Sequence, residues 1–200
     1  MSLLTVSEAL ARDVGIEIPT SVFGSQDRTQ QEILEMCNRS GEEIARRVDW
    51  GELTKTHTAS GDGSDSPISL PADVDRIVSG VGVVTSTGAV VRPLSRAEWT
   101  MASVEGTPRY FLLEGTSLRL WPFLANGEDV EVTYQSSFWC DNGTDRYGDD
   151  GDAALFDEEL ILKNAIVRWR RQHGMDYADH EMEYEAALSD FARFNDRSRT

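Results

Sequence analysis

The hydrophobic pattern of this sequence changes its period twice. Apolar residues recur at helical spacing within residues 1–53, alternate with a period of two between Thr54 and Gln135, and return to helical spacing from Asp157 onward. Helices and strands that occupy separate stretches of a chain are typical of separate layers or subdomains. We therefore predict an α+β fold, in which the N- and C-terminal helices form a helical bundle and an antiparallel β-sheet subdomain lies between them in sequence.

Local signals set the ends of the first two helices. Thr5 and Glu8 have the spacing of a capping box, and Gly15 is placed to end a short first helix. A second, strongly amphipathic helix is expected to begin near Ser25 or Asp27.

Two small residues on the apolar stripe of the second helix, Cys37 and Gly41, are interpreted from their size. A small buried thiol is the usual reason for a cysteine on such a face, and with Cys140 as the only other cysteine the sequence favours a reduced compartment. The missing side chain of Gly41 would either let another helix approach or simply weaken the helix.

Short strands with turn signals between them are predicted for the middle of the chain. Thr87-Gly88 and Glu114-Gly115 mark turns between neighbouring strands, which favours antiparallel pairing. Gly80 and Gly82 indicate a bulge or a close approach of two backbones, and a brief helix is expected from Ser95 to Ala102. The candidate strands are Thr54 to Thr58, Pro67 to Leu70, Ile77 to Thr85, Ala89 to Leu94, Arg109 to Glu114, Ser117 to Trp121 and Asp129 to Gln135.

The predicted organisation has four parts. They are N-terminal helices over 1–53, the β subdomain over 54–138, an acidic connecting loop over 139–156, and C-terminal helices with a tail over 157–200 that pack with 1–53. Because charge runs are usually solvated, the acidic loop is expected to be a mobile connection. It lacks the spacing of an EF-hand, so we expect no obligatory metal there.

The net charge of −16 limits the binding partners. Such a field repels phosphate backbones and anionic lipid headgroups, because tight nucleic-acid binding depends on Lys and Arg side chains that displace counterions. Sequence-specific DNA binding is therefore not expected, and no stretch is apolar for long enough to span a membrane. An acidic surface would, however, let DNA pass without binding it.

Motifs of catalytic and cofactor sites are missing from the sequence. There is no G-x-S-x-G elbow, P-loop, G-x-G-x-x-G or C-x-x-C, and the three histidines do not have the spacing of a zinc site. We therefore assign no catalytic, cofactor-binding or metal residue and expect the protein not to be an enzyme.

Arginines near Trp169 stand out in an otherwise acidic protein. Arg168, Arg170 and Arg171 are either a docking patch for an acidic partner or, for the last two, charges that balance a helix C-terminus.

A set of anchor residues in the middle of the chain resembles the head-to-tail adaptor, or connector, proteins of tailed bacteriophages and related gene transfer particles. The resemblance depends on the order and spacing of these anchors, since each has local causes of its own, and it covers nearly the whole chain. The anchors are Trp50, Leu70-Pro71-Ala72-Asp73 with Arg76-Ile77, Pro93-Leu94 followed by Trp99, Gly106-Thr107-Pro108-Arg109-Tyr110, Leu118-Arg119-Leu120-Trp121-Pro122, Val132-Thr133-Tyr134, and a closing helix pair joined at His173-Gly174-Met175-Asp176.

The resemblance implies a structural virion protein at the head-tail junction, made and assembled in the host cytoplasm. Such proteins form a ring with themselves, usually of twelve copies, that docks under the portal protein and offers a surface to the next tail or head-completion protein, while DNA passes without specific binding. In the family the C-terminal segment reaches into the portal, which points here to Phe191, Arg193, Phe194, Arg197 and Arg199. The acidic loop is a candidate contact for the tail component, through Asp145, Tyr147, Asp149 and Asp150.

Two other classes of protein remain open at this point. A monomeric ligand-binding β-domain would present an aromatic platform, for which Trp121, Tyr134 and Trp139 are the candidates. A hydrolase that depends on aspartate would show metal-dependent activity. Only the adaptor is expected to form dodecamers on a portal.

Overall fold

The structure is a computed structural model that describes residues 2–101 and 106–197. It divides into two compact units. Met1–Leu53 and Ser137–Thr200 form a helical unit, and Thr54–Ser136 form a β unit. The helices are α1 (Leu3–Val14), α2 (Arg28–Arg47), α3 (Arg96–Trp99), α4 (Glu158–Gln172) and α5 (Ala178–Arg197). This architecture confirms the predicted α+β fold with terminal helices in one bundle.

Helix α4 is the centre of the helical unit. It packs against α1, α2 and α5, and Leu160, Ile161 and Ala165 on it are fully buried. Its apolar surface is wide because three neighbours cover it, as expected for a helix that is buried on most sides.

The first two helices begin at polar residues, one of which differs from the prediction. Helix α1 begins at Leu3 with Ser2 as its N-cap, so Thr5 is its third residue and not its cap, and the Ser2 backbone N–H donates to Thr5 Oγ1 at 2.6 Å. Gly15 ends α1 with a left-handed φ of 73°, as predicted. Helix α2 begins after Asp27, whose carboxylate accepts hydrogen bonds from the backbone N–H groups of Thr29 and Gln30.

Gly41 makes room for an aromatic ring and not for another helix. A Cβ atom at this position would lie 2.5 Å from Cη2 and Cζ2 of Trp139. The Trp139 ring is fully buried and lies edge-on to Tyr147, with ring centroids 5.0 Å apart. The missing side chain of Gly41 thus leaves room for the indole ring of Trp139, which lies in the segment that follows the β unit.

The β unit contains two four-stranded sheets. In the first, β8 pairs with β1 on one side and with β3 and β4 on the other; in the second, the order is β2-β7-β6-β5. Buried residues of both sheets belong to one hydrophobic cluster, so the sheets pack face to face. The strands are β1 (Thr54–Ser60), β2 (Ile68–Ser69), β3 (Val74–Ile77), β4 (Val83–Thr85), β5 (Arg92–Pro93), β6 (Tyr110–Glu114), β7 (Ser117–Trp121) and β8 (Asp129–Ser136).

Two predicted strands differ in the structure. The strand expected from Ile77 to Thr85 is broken, because the chain folds back so closely that a Cβ on Gly82 would collide with the Val78 carbonyl oxygen. The strand expected from Ala89 to Leu94 shrinks to Arg92–Pro93, and it pairs with β6 in parallel, so the pairing is not wholly antiparallel.

The brief helix α3 begins with the predicted capping box. The Ser95 backbone N–H donates to Glu98 Oε2 at 2.9 Å, and the Glu98 N–H donates to Ser95 Oγ at 3.3 Å. The helix ends at Trp99, and its predicted last residue, Ala102, lies outside the described residues.

Candidate interaction surfaces

The C-terminal segment belongs to helix α5, which continues to Arg197. Arg193 therefore lies within the helix and not beyond it. Its side chain is 75% exposed and lies 3.8 Å from Asp190, whereas Phe191 packs partly against the core of the helical unit. The side chains of Phe194 and Arg197, and the whole of Arg199, lie outside the described residues.

The acidic loop is largely exposed, but its carboxylates accept hydrogen bonds from the loop's own backbone. Asp152 Oδ2 accepts from Asn142 Nδ2 at 2.6 Å and from the N–H groups of Gly148 and Asp149 at 2.6 and 2.9 Å. Asp141 Oδ1 accepts from the Ala153 N–H at 2.9 Å. These bonds favour one conformation of the loop over the expected mobile connection.

The same loop caps helix α1. The Leu3 and Leu4 backbone N–H groups donate to the carbonyl oxygens of Asp152 and Asp150 at 2.8 and 3.1 Å. These donors would otherwise be unpaired at a helix N-terminus. The loop thus satisfies backbone groups of a helix near the other end of the chain.

Asp150 clamps a segment between α1 and α2. Its carboxylate accepts from Ser21 Oγ at 2.6 Å and from the backbone N–H groups of Val22 and Phe23 at 2.9 and 2.8 Å. Partial burial opposes ionisation of this carboxyl, but the hydrogen bonds from Phe23, Ser21 and Val22 outweigh it and hold the pKa of Asp150 below its usual value. The charge of Asp150 therefore has an internal role.

Of the four loop residues considered for tail contact, two are exposed at the surface. The Asp145 side chain is 57% exposed, and Asp149 is also exposed. Tyr147 is only 2% exposed, its backbone N–H donates to Asn38 Oδ1 at 2.9 Å, and burial raises the pKa of its hydroxyl. Tyr147 and Asp150 hold the loop in place, and Asp145 and Asp149 face outward.

No metal site is assembled within residues 2–101 and 106–197. No group of three or more His, Cys, Asp or Glu side chains in these ranges is arranged to hold an ion. In the acidic loop, the carboxylates of Asp141, Asp150 and Asp152 accept hydrogen bonds from backbone N–H groups. A calcium ion would have to displace these donors.

The arginines near Trp169 connect helices within the unit. Arg168 pairs with Glu43 on α2, and the other two arginines of the set reach α1 and α5. Arg170 lies 3.4 Å from Asp13, and Arg171 lies 2.6 Å from Glu181. The three arginines are therefore paired within the unit and do not form a free docking patch. Arg170 and Arg171 do lie in the last turn of α4, where the helix dipole favours a positive charge. Local sequence carried no sign of their distant partners.

A groove of about 800 Å³ lies between α2, α4 and α5. Five arginines and five glutamates line it, and each arginine has a glutamate within the distance of an ion pair. The groove is therefore electrically balanced and offers no unpaired positive charge to an anion. The pairs are Arg28–Glu32, Arg39–Glu35, Arg47–Glu185, Arg168–Glu43 and Arg171–Glu181.

A buried carboxylate in the β unit explains one of the sequence anchors. Asp73 accepts from Lys55 Nζ and Ser136 Oγ at 2.7 Å each, and from the Tyr134 hydroxyl at 3.1 Å. Burial opposes its ionisation, but the bonds from Lys55 and Ser136 hold the pKa of Asp73 below its usual value. Burial, with Asp73 beside the hydroxyl, raises the pKa of Tyr134 to about 12. Asp73 therefore ties β1 and β8 to the start of β3.

The aromatic residues considered for a ligand platform are placed differently. Trp139 is fully buried in the core of the helical unit, and Tyr134 is 4% exposed with its hydroxyl on Asp73. Trp121 packs edge-on against Trp99 with ring centroids 6.3 Å apart. Two of the three candidates are therefore core residues.

Comparison with protein-family models gives a match. A family model described as SU10 adaptor protein matches residues 1–200, which is the whole chain. A search of curated proteins finds no match. Among the described helices, none is long and apolar enough to cross a membrane.

Proposed function

The chain belongs to the SU10 adaptor family, a family of phage head-to-tail adaptors, and from this membership we propose that it forms a ring of twelve copies under the portal protein. The ring joins the capsid to the next tail or head-completion protein and continues the DNA channel. The observation that carries this proposal is the family match over the entire length of the chain. The protein is a structural component of the virion, assembled in the host cytoplasm, and has no enzymatic role.

The charge of the chain supports a channel that DNA crosses without binding. Each copy carries a net charge of −16, and a ring repeats that charge around its axis. A wall of one sign repels the phosphate backbone, so the genome does not adhere during passage.

The C-terminal end of α5 is proposed as the portal-docking element. Arg193 supports this role, because its guanidinium group is 75% exposed and has only a distant carboxylate, at 3.8 Å, within the described chain. A forked donor in this state can pair with acidic groups or chain ends of a partner. The full set proposed for docking is Phe191, Arg193, Phe194, Arg197 and Arg199.

The acidic loop is proposed as the contact for the tail-side component. Its conformation is fixed by Asp150 and Asp152, while Asp145 and Asp149 are exposed. A loop that is already ordered loses little conformational entropy on binding. The alternative of a monomeric ligand-binding domain is disfavoured because Tyr134 and Trp139 are buried.

Electron microscopy and native mass spectrometry of the protein mixed with its portal protein test the proposal. We expect twelve copies in a ring on one end of the portal. A protein that stays monomeric and does not bind the portal would contradict both the ring and the docking.

A charge-matched pair of variants tests the docking element. Replacing Arg193, Arg197 and Arg199 by Ala, or deleting Asn195 to Thr200, should weaken portal binding and leave the melting temperature nearly unchanged, because terminal residues carry little folding energy. Full portal affinity in these variants would refute the assignment of the C-terminal segment and leave the ring untouched. The control removes three arginines from other helix surfaces, Arg12, Arg39 and Arg46, whose side chains are 58%, 63% and 60% exposed.

A further inference from the structure

One side of the β unit is an open strand edge. Strand β1 pairs with β8 on one side, over Thr54 to Ser60. The Thr133 N–H and C=O groups of β8 bond Gly82 and Val78 on the opposite side. Thr56 faces Thr133 in the ladder, so its own N–H and C=O groups point away from β8, as do those of every second residue of β1.

The outward-facing residues of this edge are accessible. Thr56, Thr58 and Ser60 are exposed, and within residues 2–101 and 106–197 no backbone group outside the β1–β8 ladder bonds Thr56 or Thr58. The strand contains no proline, and its one lysine turns to Asp73. Natural proteins usually protect such an edge with prolines, bulges or outward charges. An edge without them can accept a further strand.

A groove with a partly apolar lining lies beside the end of this edge. It has a volume of about 280 Å³ and lies between the end of β1 and β2. Ala59, Ile68, Leu120, Phe123 and Leu124 contribute its apolar lining, and Phe123 is 44% exposed. An added strand could therefore bury an aliphatic side chain here while its backbone pairs with β1.

The helical unit carries a segment with matching properties. Glu17 to Ser21 belong to no helix or strand and make no backbone–backbone hydrogen bond within the described chain. Ile18 is 46% exposed, and Pro19 biases it toward an extended conformation. The segment is fixed at both ends, by the bond from the Ile16 N–H to the Ala11 carbonyl and by the Asp150 clamp on Val22 and Phe23.

Charge also favours this pairing. Strand β1 has Lys55 and His57 but no carboxylate, in a chain with 35 acidic residues. The segment from Glu17 to Ser21 carries one negative charge. The pairing sets the carboxylate of Glu17 against a strand that has none, with Asp62 of the groove lining as an acidic neighbour.

We propose that the segment Glu17 to Ser21 of one copy adds as a strand to the β1 edge of a second copy, with Ile18 in the groove beside Leu120 and Leu124. The two surfaces differ, so the contact is head-to-tail and can close a ring. The inference rests on the proposed ring and names the surfaces that join its subunits.

Cross-linking between two singly substituted chains tests the contact. Chains with Thr20→Cys are mixed with chains carrying Thr56→Cys, Thr58→Cys or Ser60→Cys, which together cover the register. Both native cysteines are buried, so they should not compete. We expect a two-chain disulfide product in the mixture, and none with the matched control Thr87→Cys, an exposed threonine in a turn of the same unit.

A substitution in the donor segment gives a second readout. Ile18→Asp should weaken self-association about tenfold to a hundredfold, which corresponds to the loss of one buried aliphatic side chain. The control is Val81→Asp, which removes an apolar side chain that is 62% exposed in the β unit, and it should associate normally. Circular dichroism verifies that both variants fold.

The outcomes separate this inference from the ring itself. Rings on the portal that persist with Ile18→Asp and give no cross-link would overturn the contact and leave the ring standing. A disulfide that forms within one chain carrying both cysteines, and not between two chains, would also overturn it. So would protection of the Thr58 amide from hydrogen exchange that appears only when the portal or a tail protein is present. Absence of any self-association, with or without portal, would overturn both proposals.

Discussion

Substituting Gly41 by Ala sets two physical effects of opposite sign against each other. Alanine in place of glycine within a helix is favourable by about 1 kcal/mol from backbone propensity alone. In this structure, however, the new Cβ would lie 2.5 Å from two carbon atoms of the Trp139 ring. Ordinary carbon contacts lie near 3.5–4.0 Å, so the ring or the helix would have to move by about 1 Å.

The steric term should prevail. Trp139 is fully buried between Tyr147 and Phe156, with ring centroids 5.0 and 6.1 Å away, so its indole has no free space to enter. Overpacking of this kind costs about 1–3 kcal/mol. A steric cost in the upper part of that range, less the gain of about 1 kcal/mol in helix propensity, lowers the free energy of unfolding of Gly41→Ala by about 1–2 kcal/mol. This is equivalent to roughly 2–8 °C in melting temperature for a chain of this size.

Urea unfolding followed by far-ultraviolet circular dichroism measures the effect, with a double-mutant cycle to assign it. Trp139→Phe removes the ring atoms that collide, so combining it with Gly41→Ala should cost less than the sum of the two single changes. Glu42→Ala, at a side chain 53% exposed on the same helix, is the control and should change stability by less than about 0.5 kcal/mol. A Gly41→Ala protein that is more stable by about 1 kcal/mol would show that the Trp139 contact does not constrain this site.

Three further predictions concern buried polar groups. The pKa of Asp150 is lowered in the folded state, so the stability that its carboxylate contributes is complete above the ordinary pKa of 3.8 and is lost as the pH falls through the folded-state pKa. Asp150→Asn should be less stable at pH 7, and its urea midpoint should fall less steeply than that of the unsubstituted protein as the solution is acidified. Asp73→Ala removes the acceptor of three hydrogen bonds and should destabilise the β unit by about 2–4 kcal/mol in urea titrations. Burial raises the pKa of Cys37 to about 12 and that of Cys140 to about 11, so neither should react with a thiol reagent at pH 8 until denaturant is added; rapid labelling of the native protein would contradict this.

Local signals in the sequence predicted the elements whose ends have local causes. Asp27 begins α2 because its side chain bonds the next two N–H groups, and Gly15 ends α1 because it adopts a left-handed conformation. Strand β7, Ser117 to Trp121, was predicted with its observed bounds, since alternating side chains between two turns determine it.

Several features that the sequence did not reveal depend on residues far apart in the chain. Two examples are the contact of the Trp139 ring with Gly41 and the hydrogen bond from the Val22 N–H to the Asp150 carboxylate, each between positions roughly one hundred residues apart or more. Composition marked the acidic loop as a mobile connection, because it shows the number of carboxylates and not the N–H groups that they accept from. The strand break at Gly82 is a local feature, and Gly80 and Gly82 did indicate a bulge or a close approach of two backbones there.

The discontinuous helical unit also has a consequence for synthesis on the ribosome. Its core combines residues up to Leu53 with residues after Ser137, and α4, which contacts α1, α2 and α5, is complete only at Gln172. Roughly 120 residues separate the synthesis of Leu53 from that of Gln172, and at ~5–20 residues per second they take about 6–24 s to make. During that interval the β unit is a continuous segment that can fold, whereas α1 and α2 have only each other and lack α4, which covers their apolar faces. Nascent copies on one polysome are therefore exposed to chaperones, and to one another, through their first two helices.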